Sequence, residues 1–291
     1  MSEIKLIHGD CLREMNFIQP HSIDLILCDL PYGVTCNEWD TTIDLSKLWQ
    51  HYKRLIKPKG SIILTATQPF TTLLINSNPD WFKYSLIWNK KSCGNFALAK
   101  FRPMMIHEDI LVFSEGTNNY YPIMEKRGKP RNKRGYSKSE NWNIDPIKTE
   151  TLNNLYYPKS IIEISNANNA SKVHPTQKPV ELMEYLIKMF SSESSRILDN
   201  CMGSGSTGIA CLNTNRNFIG IEKDQYYFNL AEYRIKHYKN YHESITPDYI
   251  PPMIKNYKNK YDESNFIPIP ILKVLEKYYD VTEINGIYKI K

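Results

Sequence analysis

The sequence predicts an α/β fold on a doubly wound, mainly parallel sheet. Three observations carry that expectation. Short apolar runs alternate with segments whose apolar residues recur every three or four positions. Several of the runs stop at turn-forming residues: His8-Gly9-Asp10, Asp29-Leu30-Pro31-Tyr32-Gly33 and the stretch from Asp199 to Gly205. Strand and helix also interleave along the chain, as crossover connections between parallel strands require.

In chain order, Ile4 to Ile7 reads as the first strand and Ile23 to Cys28 as the second. Leu45, Leu48, Trp49, Tyr52 and Leu55 have helical spacing, and Lys57-Pro58-Lys59-Gly60 is expected to stop that helix. Ser61 to Thr65, Tyr84 to Trp88 and Ile110 to Phe113 follow as strands. From Ser114 to about Ala170 the periodicity is lost in residues rich in Asn, Lys, Tyr and Pro. A structureless stretch of that length implies a job of its own. Order returns with a helix marked by Val180, Met183, Leu186, Ile187 and Phe190. The strands Arg196 to Asp199 and Phe218 to Ile221 come next, then a helix through Tyr227, Leu230, Ala231 and Ile235. After about Ser244 come prolines, a short helix around Ile271 to Tyr278, and a hairpin turned by Asn285-Gly286.

Composition narrows the class. The 291 residues are 41% hydrophobic and 23% charged, enough to fill a core and too apolar for wholesale disorder. The opening MSEIKLIHGD has no basic stretch followed by an apolar run, and no apolar run could span a bilayer. None of the six cysteines forms a C-x-x-C pair, so reduced thiols in a cytoplasmic protein without a metal are expected. The net charge is +6, yet residues 126–138 (KRGKPRNKRGYSK) alone carry more positive charge than that. The rest of the chain is therefore slightly acidic, and the basicity is concentrated in one segment.

The strongest local signal is Asp199-Asn200-Cys201-Met202-Gly203-Ser204-Gly205-Ser206-Thr207-Gly208, a strand running through G-x-G-x-x-G into a helix. Glycines allow the sharp turn and the close approach of a ligand. The next strand ends at Glu222, where a carboxylate can bond both ribose hydroxyls of a nucleoside cofactor. No Gly-Lys-Ser/Thr follows, so this is not a Walker A loop, but a nicotinamide dinucleotide would fit the pattern. The second signal is Asp29-Leu30-Pro31-Tyr32 at a strand end. Asp29 and the Leu30 and Pro31 carbonyls are acceptors for an exocyclic amino group, and Tyr32 offers a ring for stacking. Alone, the tetrapeptide is no more than a proline turn.

The two motifs together resemble the β-class S-adenosylmethionine-dependent DNA amino-methyltransferases. In that family a catalytic Asp-Pro-Pro-Tyr comes first, a target-recognition region next and the cofactor loop last. His174-Pro175-Thr176-Gln177-Lys178-Pro179 and His107-Glu108-Asp109-Ile110-Leu111-Val112-Phe113 resemble two further family segments, and Gly9-Asp10 an early cofactor aspartate. The resemblance runs from residue 4 to about 240. It implies a Rossmann-like methyltransferase fold in circularly permuted order. Residues 1–113 would form the catalytic half, 114–170 the target-recognition insert and 171–243 the cofactor half, with 244–291 an appendage beyond the resemblance. It also implies that Asp10 contacts the cofactor's adenine and Glu222 its ribose. The turn containing Asp199, Met202, Gly203, Ser204 and Gly205 would cradle the methionyl part, with Thr176, Lys178 and Thr207 assisting. Asp29, Leu30, Pro31 and Tyr32 would hold the target base. Leu30 and the Asn200-Cys201 pair depart from the family's usual residues, though the role at position 30 belongs to a backbone carbonyl.

An aspartate opening the tetrapeptide favours N6 of adenine over N4 of cytosine within the family. The partner implied is double-stranded DNA. A second copy of the chain and a cognate restriction endonuclease are further partners that the resemblance allows. Lys126, Arg127, Lys129, Arg131, Lys133, Arg134 and Lys138 lie where the family places target recognition, as flexible basic chain suited to phosphates and guanine edges. The competing readings are a nicotinamide-dependent oxidoreductase, a DNA-binding protein without catalysis, and a methyltransferase acting on RNA or protein. The first leaves the Asp29 turn and the basic stretch unused.

Overall fold

The computed structural model describes residues 2–32, 43–94, 99–133, 151–166 and 177–236, with two short strands near the C-terminus. Its strands in chain order are β1 (Ile4–His8), β2 (Ile23–Cys28), β3 (Ile56–Ala66), β4 (Phe82–Gly94), β5 (Met105–Phe113), β6 (Glu125–Lys133), β7 (Thr151–Tyr156), β8 (Ile161–Glu163), β9 (Arg196–Asp199), β10 (Asn217–Glu222), β11 (Val281–Ile284) and β12 (Ile287–Ile290). The helices are α1 (Cys11–Glu14), α2 (Leu45–Leu55), α3 (Phe70–Ser77), α4 (Val180–Phe190), α5 (Ser206–Asn213) and α6 (Gln225–Lys236). Eight strands form one sheet in the order β1-β10-β9-β2-β3-β5-β4-β8. From β1 to β3 every pairing is parallel; β5 runs antiparallel to β3 and β4, and β8 is parallel to β4. The fold is the expected α/β type with a mainly parallel sheet.

Each strand distributes its side chains between two cores by the period of two inherent in a pleat. In β2, Leu25 and Leu27 join Leu186, Ile209 and Ala231 on the face covered by α4, α5 and α6. Ile26 and Cys28 join Met15, Leu48, Tyr52 and Leu74 on the face covered by α1, α2 and α3. Burial on both faces explains why the central strands read as unbroken apolar runs. Helix α2 starts where Asp44 accepts from the Ser46 and Lys47 amides at 3.0 and 3.2 Å, and it buries Leu48, Trp49, Tyr52 and Leu55.

Two expectations need correcting. The helix stop at residues 57–60 lies within the span of β3, where the pairing with β2 slips between Ile23–Ile56 and Leu25–Ser61. Lys59, at φ +63°, belongs to that irregular stretch. The interval from 114 to 170 is also less formless than its composition suggests. It holds the antiparallel pair β6–β7, and β8 returns to the main sheet beside β4 with Ile162 and Ile164 in the core. Such short, polar strands leave little periodicity to read. The helix expected at Ile271 to Tyr278 lies outside the described residues, whereas β11 and β12 pair antiparallel on either side of Asn285-Gly286.

Among the described residues no helix is long and apolar enough to cross a membrane, five cysteines are free, and no His, Cys, Asp or Glu group is arranged to hold a metal.

Glycine 208 is needed for packing. A Cβ there would lie 2.5 Å from Ile235 Cδ1 and 2.9 Å from Phe218 Cε1, both groups in the core. Alanine would gain about 1 kcal/mol of helix propensity, but a β-branched side chain would also force α5 and α6 apart. Gly208→Val is expected to destabilise the protein by about 1–3 kcal/mol in urea unfolding.

Candidate active site

Strands β2 and β9 are neighbours, with Leu25 beside Ile197 and Ile26 beside Leu198. From β2 the chain winds outward through α2 to β3; from β9 it winds the other way through α5 to β10. The sheet therefore reverses its winding between β2 and β9, and ligands in such sheets bind outside the carboxyl ends at that point. Both sequence motifs leave the sheet there: residues 29–32 follow β2, and residues 199–205 end β9 and lead into α5.

Asp29 is held from three sides. Its Oδ1 accepts from the Tyr32 hydroxyl at 2.7 Å and from the Thr65 hydroxyl of β3. Its Oδ2 accepts from Lys178 Nζ at 2.6 Å. Lys178 Nζ also lies 3.2 Å from Glu108 Oε2 on β5, and the other oxygen of Glu108 lies 3.2 Å from Lys90 Nζ on β4. Lys178, Glu108 and Lys90 are each exposed over 15% or less of the side chain, so the four charges form a largely dry, alternating chain. Desolvation alone pulls Lys178 down, but Asp29 and Glu108 outweigh it and hold the ammonium above the ordinary lysine range. Burial, reinforced by Asp29 and Glu108, pushes the Tyr32 phenol well up, so it stays a donor. The Tyr32 ring packs against Phe70 at 5.1 Å. Leu30 turns its side chain into the core, which leaves its backbone as its contribution to the site.

The glycine turn is shaped by its own backbone. Gly203 and Gly205 have φ of +51° and +80°, a region costly for other residues. Asp199 accepts from the Cys201 amide at 3.2 Å and the Thr207 hydroxyl at 2.6 Å, and burial pushes its carboxyl up to about 7. Glu222 accepts from the Gly203 amide at 2.9 Å and the Asp224 amide at 2.8 Å, tying the end of β10 to the turn; burial raises its carboxyl as well. Met202 is buried in the core over Gly220, and the Ser204 hydroxyl reaches Gln177 at 3.4 Å. Asp10 caps α1 through the Leu12 amide at 3.0 Å and faces Lys223 at 3.4 Å from the edge strand β1.

Sequence reasoning missed four contributors. Thr65, Glu108 and Lys90 complete the Asp29 network, and buried Arg234 on α6 holds the turn by donating to the Ser204 carbonyl and, at 2.8 Å, to its hydroxyl. Glu108 had a signal, since a carboxylate heading an apolar strand rarely lies idle. The resemblance places Lys178 on the methionyl side; its nitrogen lies 2.6 Å from Asp29 Oδ2 and 3.2 Å from Glu108 Oε2. Thr176 lies outside the described residues.

Residues 126–133 of the basic stretch belong to β6, with Gly128 at φ +60° where the pairing with β7 slips. Lys126 and Lys129 are exposed. Arg127 is bonded to Glu125 and lies over the Tyr156 ring at 5.3 Å. Arg131 and Lys133 fall on the same strand, while Arg134 and Lys138 lie outside the described residues.

The fold thus sets a glycine-rich turn and an aspartate turn side by side at the carboxyl ends of neighbouring parallel strands. The family model for DNA methylases of the N6/N4 type matches residues 23–233, and the chain belongs to that family. It is 29% identical to the type II methyltransferase M.HinfI of Haemophilus influenzae over 86% of this chain and 74% of that protein. It is 26% identical to the DNA adenine methyltransferase YhdJ of Escherichia coli K12 over 79% of this chain and 82% of that one. The solved PvuII cytosine-N4-specific DNA methyltransferase shares the fold at TM-score 0.61 and 16% identity, covering 89% and 94% of the two chains.

Proposed function

We propose that this protein transfers the methyl group of S-adenosylmethionine to N6 of an adenine flipped out of double-stranded DNA. The observation that carries the reading is the Asp29 carboxylate, fixed by Tyr32, Thr65 and Lys178 beside the glycine turn. The residues around the turn suit this cofactor. Asp10 and Glu222 set carboxylates beside the turn at the ends of β1 and β10, while buried Asp199 shapes the turn from within. Carboxylates there suit a cofactor that carries ribose hydroxyls and a cationic sulfonium. When bound, the cofactor supplies an electrophilic methyl carbon on its sulfonium.

The chain's own residues do the rest by positioning and charge placement. Asp29 and the carbonyls of Leu30 and Pro31 accept the amino hydrogens and aim the nitrogen lone pair. Tyr32, tethered through its hydroxyl, presents its ring to the base; stacking of about 1–3 kcal/mol offsets part of the cost of flipping. Asp10 and Glu222 hold the nucleoside end of the cofactor, and residues 199–205 the methionyl end, with Thr207 acting through Asp199. The opening aspartate and the likeness to an adenine methyltransferase favour adenine over cytosine. Residues 114–170 form the target-recognition insert between the catalytic half (1–113) and the cofactor half (171–243). The protein works on cytoplasmic DNA, and the type II names of its relatives support pairing with a cognate restriction endonuclease.

The test is to incubate the protein with labelled S-adenosylmethionine and mixed-sequence DNA, then identify the modified nucleoside and its context. N6-methyladenine at one short sequence is expected; N4-methylcytosine would shift the base, and no label in DNA would overturn the reading. The insert is tested separately. Replacing Lys126, Arg127, Lys129, Arg131, Lys133, Arg134 and Lys138 by glutamine is expected to weaken DNA binding. The salt dependence should flatten by about 0.9 for each phosphate that is no longer neutralised. An unchanged slope would remove the insert from the DNA interface.

A further inference from the structure

We infer that Lys178 reads the ring nitrogen beside the amino group of the flipped base, making Asp29 and Lys178 a two-point reader of that edge. The inference rests on the reading of Asp29 as acceptor of the target amino group and adds a second hydrogen bond to it. The bonding capacity of the two side chains leads there. A lysine ammonium has three hydrogens. One is directed at Asp29 Oδ2 (2.6 Å), while Glu108 Oε2 is an ion-pair neighbour at 3.2 Å outside hydrogen-bond geometry, so at least one hydrogen is left over. An ionised carboxylate has about four acceptor positions. The Tyr32 and Thr65 hydroxyls fill those on Asp29 Oδ1, and Lys178 takes one on Oδ2. The site therefore offers one spare acceptor on Asp29 Oδ2 and one spare donor on the nitrogen 2.6 Å away.

That pair complements a specific base edge. Adenine carries the N6 amino donor next to the N1 lone pair, and cytosine the N4 amino donor next to the N3 lone pair. Thymine, and the O6/N1 edge of guanine, carry a carbonyl next to an N–H. Either would set acceptor against Asp29 and donor against Lys178. The lysine is also well placed for a stacked base, since Nζ lies 5.9 Å from the centre of the Tyr32 ring.

Glu108 and Lys90 explain how a cation can be tolerated here. Two carboxylates and two ammoniums alternate through Asp29, Lys178, Glu108 and Lys90, so the cluster is neutral overall. Lys178 thus donates without adding net positive charge beside a cationic methyl donor. It stays protonated because its two carboxylate neighbours outweigh its burial. Lys178 is a specificity-determining residue on this reading, with Glu108 positioning it.

The test removes the ring nitrogen and keeps the amino group. Once the methylated sequence is mapped, duplexes are made with adenine or 1-deazaadenine at the target (3-deazacytosine if the mapped base is cytosine). Single-turnover rates of methyl transfer are then compared. The wild-type protein is expected to methylate the deaza duplex at least ~10-fold more slowly, the scale of one hydrogen bond to a charged donor. The deaza base pairs poorly and flips more easily, which biases against that result. Lys178→Met is expected to be slower on adenine but to lose the discrimination, with a rate ratio near one, while Lys178→Arg keeps part of it. Equal wild-type rates on both duplexes would overturn the inference, as would a wild-type ratio in Lys178→Met. If Lys178→Met fails to fold, the wild-type comparison decides alone. Transfer to adenine without discrimination sinks only the Lys178 role, whereas no transfer to any DNA sinks the methyltransferase reading with it.

Discussion

Asp29→Ala is expected to slow methyl transfer by about 10²-fold or more, the usual loss when a preorganised polar group at the reacting centre is removed. The substitution takes away the acceptor for the target amino group and releases the Tyr32 and Thr65 hydroxyls together. It also leaves Lys178 with Glu108 in place of two carboxylates in a site where its side chain is 10% exposed. Asp29→Asn should lose less. An amide can turn its nitrogen toward the Thr65 hydroxyl and its oxygen toward Lys178, which preserves one acceptor at the Oδ2 position. The order of single-turnover rates is therefore wild type, then Asn, then Ala, with cofactor and DNA binding measured alongside. An Ala variant that transfers at the wild-type rate with DNA bound would remove Asp29 from the chemistry.

The sheet was legible because its central strands are buried on both faces: Ile23 to Cys28, Ser61 to Thr65 and Arg196 to Asp199 read as strands, and all lie within the observed ones. Helix α3 was not foreseen. Its eight residues bury only Phe70, Thr71 and Leu74, too few to stamp a helical period on the sequence. Strand β8 was missed for a similar reason, since in its three residues only Ile162 points into the core. At the site, residues of the two contiguous motifs could be found because turn chemistry is local. The Asp29 network could not, because Thr65, Lys90, Glu108 and Lys178 come from four distant parts of the chain. The sheet order β2-β3-β5-β4 gathers Thr65, Glu108 and Lys90, and the chain leading into α4 brings Lys178 to them. Arg234, which holds the glycine turn, stands near the end of α6, where a charge carries no local signal of its partner.

Asp199 should make the stability of the ligand-free protein depend on pH near neutrality. Its carboxyl is pushed up to about 7, chiefly by burial, with the Thr207 hydroxyl, the Cys201 amide and the Cys28 thiol pulling it partly back and Asp29 raising it further. The folded protein therefore keeps a proton that the unfolded chain, with an ordinary aspartate near 3.8, gives up earlier. A folded pKa above the unfolded one stabilises fully below the unfolded value and stops contributing above the folded value. Between those limits the unfolded chain binds fewer protons, so stability falls as pH rises, by up to about 1.4 kcal/mol per unit. From pH 5 to pH 8 the loss attributable to this one group is on the order of 3 kcal/mol. Asp199→Asn removes the titration while nearly preserving shape, although its amide must face one of the two donors and so lowers stability by a constant amount. Urea unfolding across that range should show wild type losing stability relative to Asp199→Asn, with the difference levelling off above pH 7. Parallel curves would mean that the carboxylate is already ionised at pH 5, its bonds to Thr207 and Cys201 outweighing the burial.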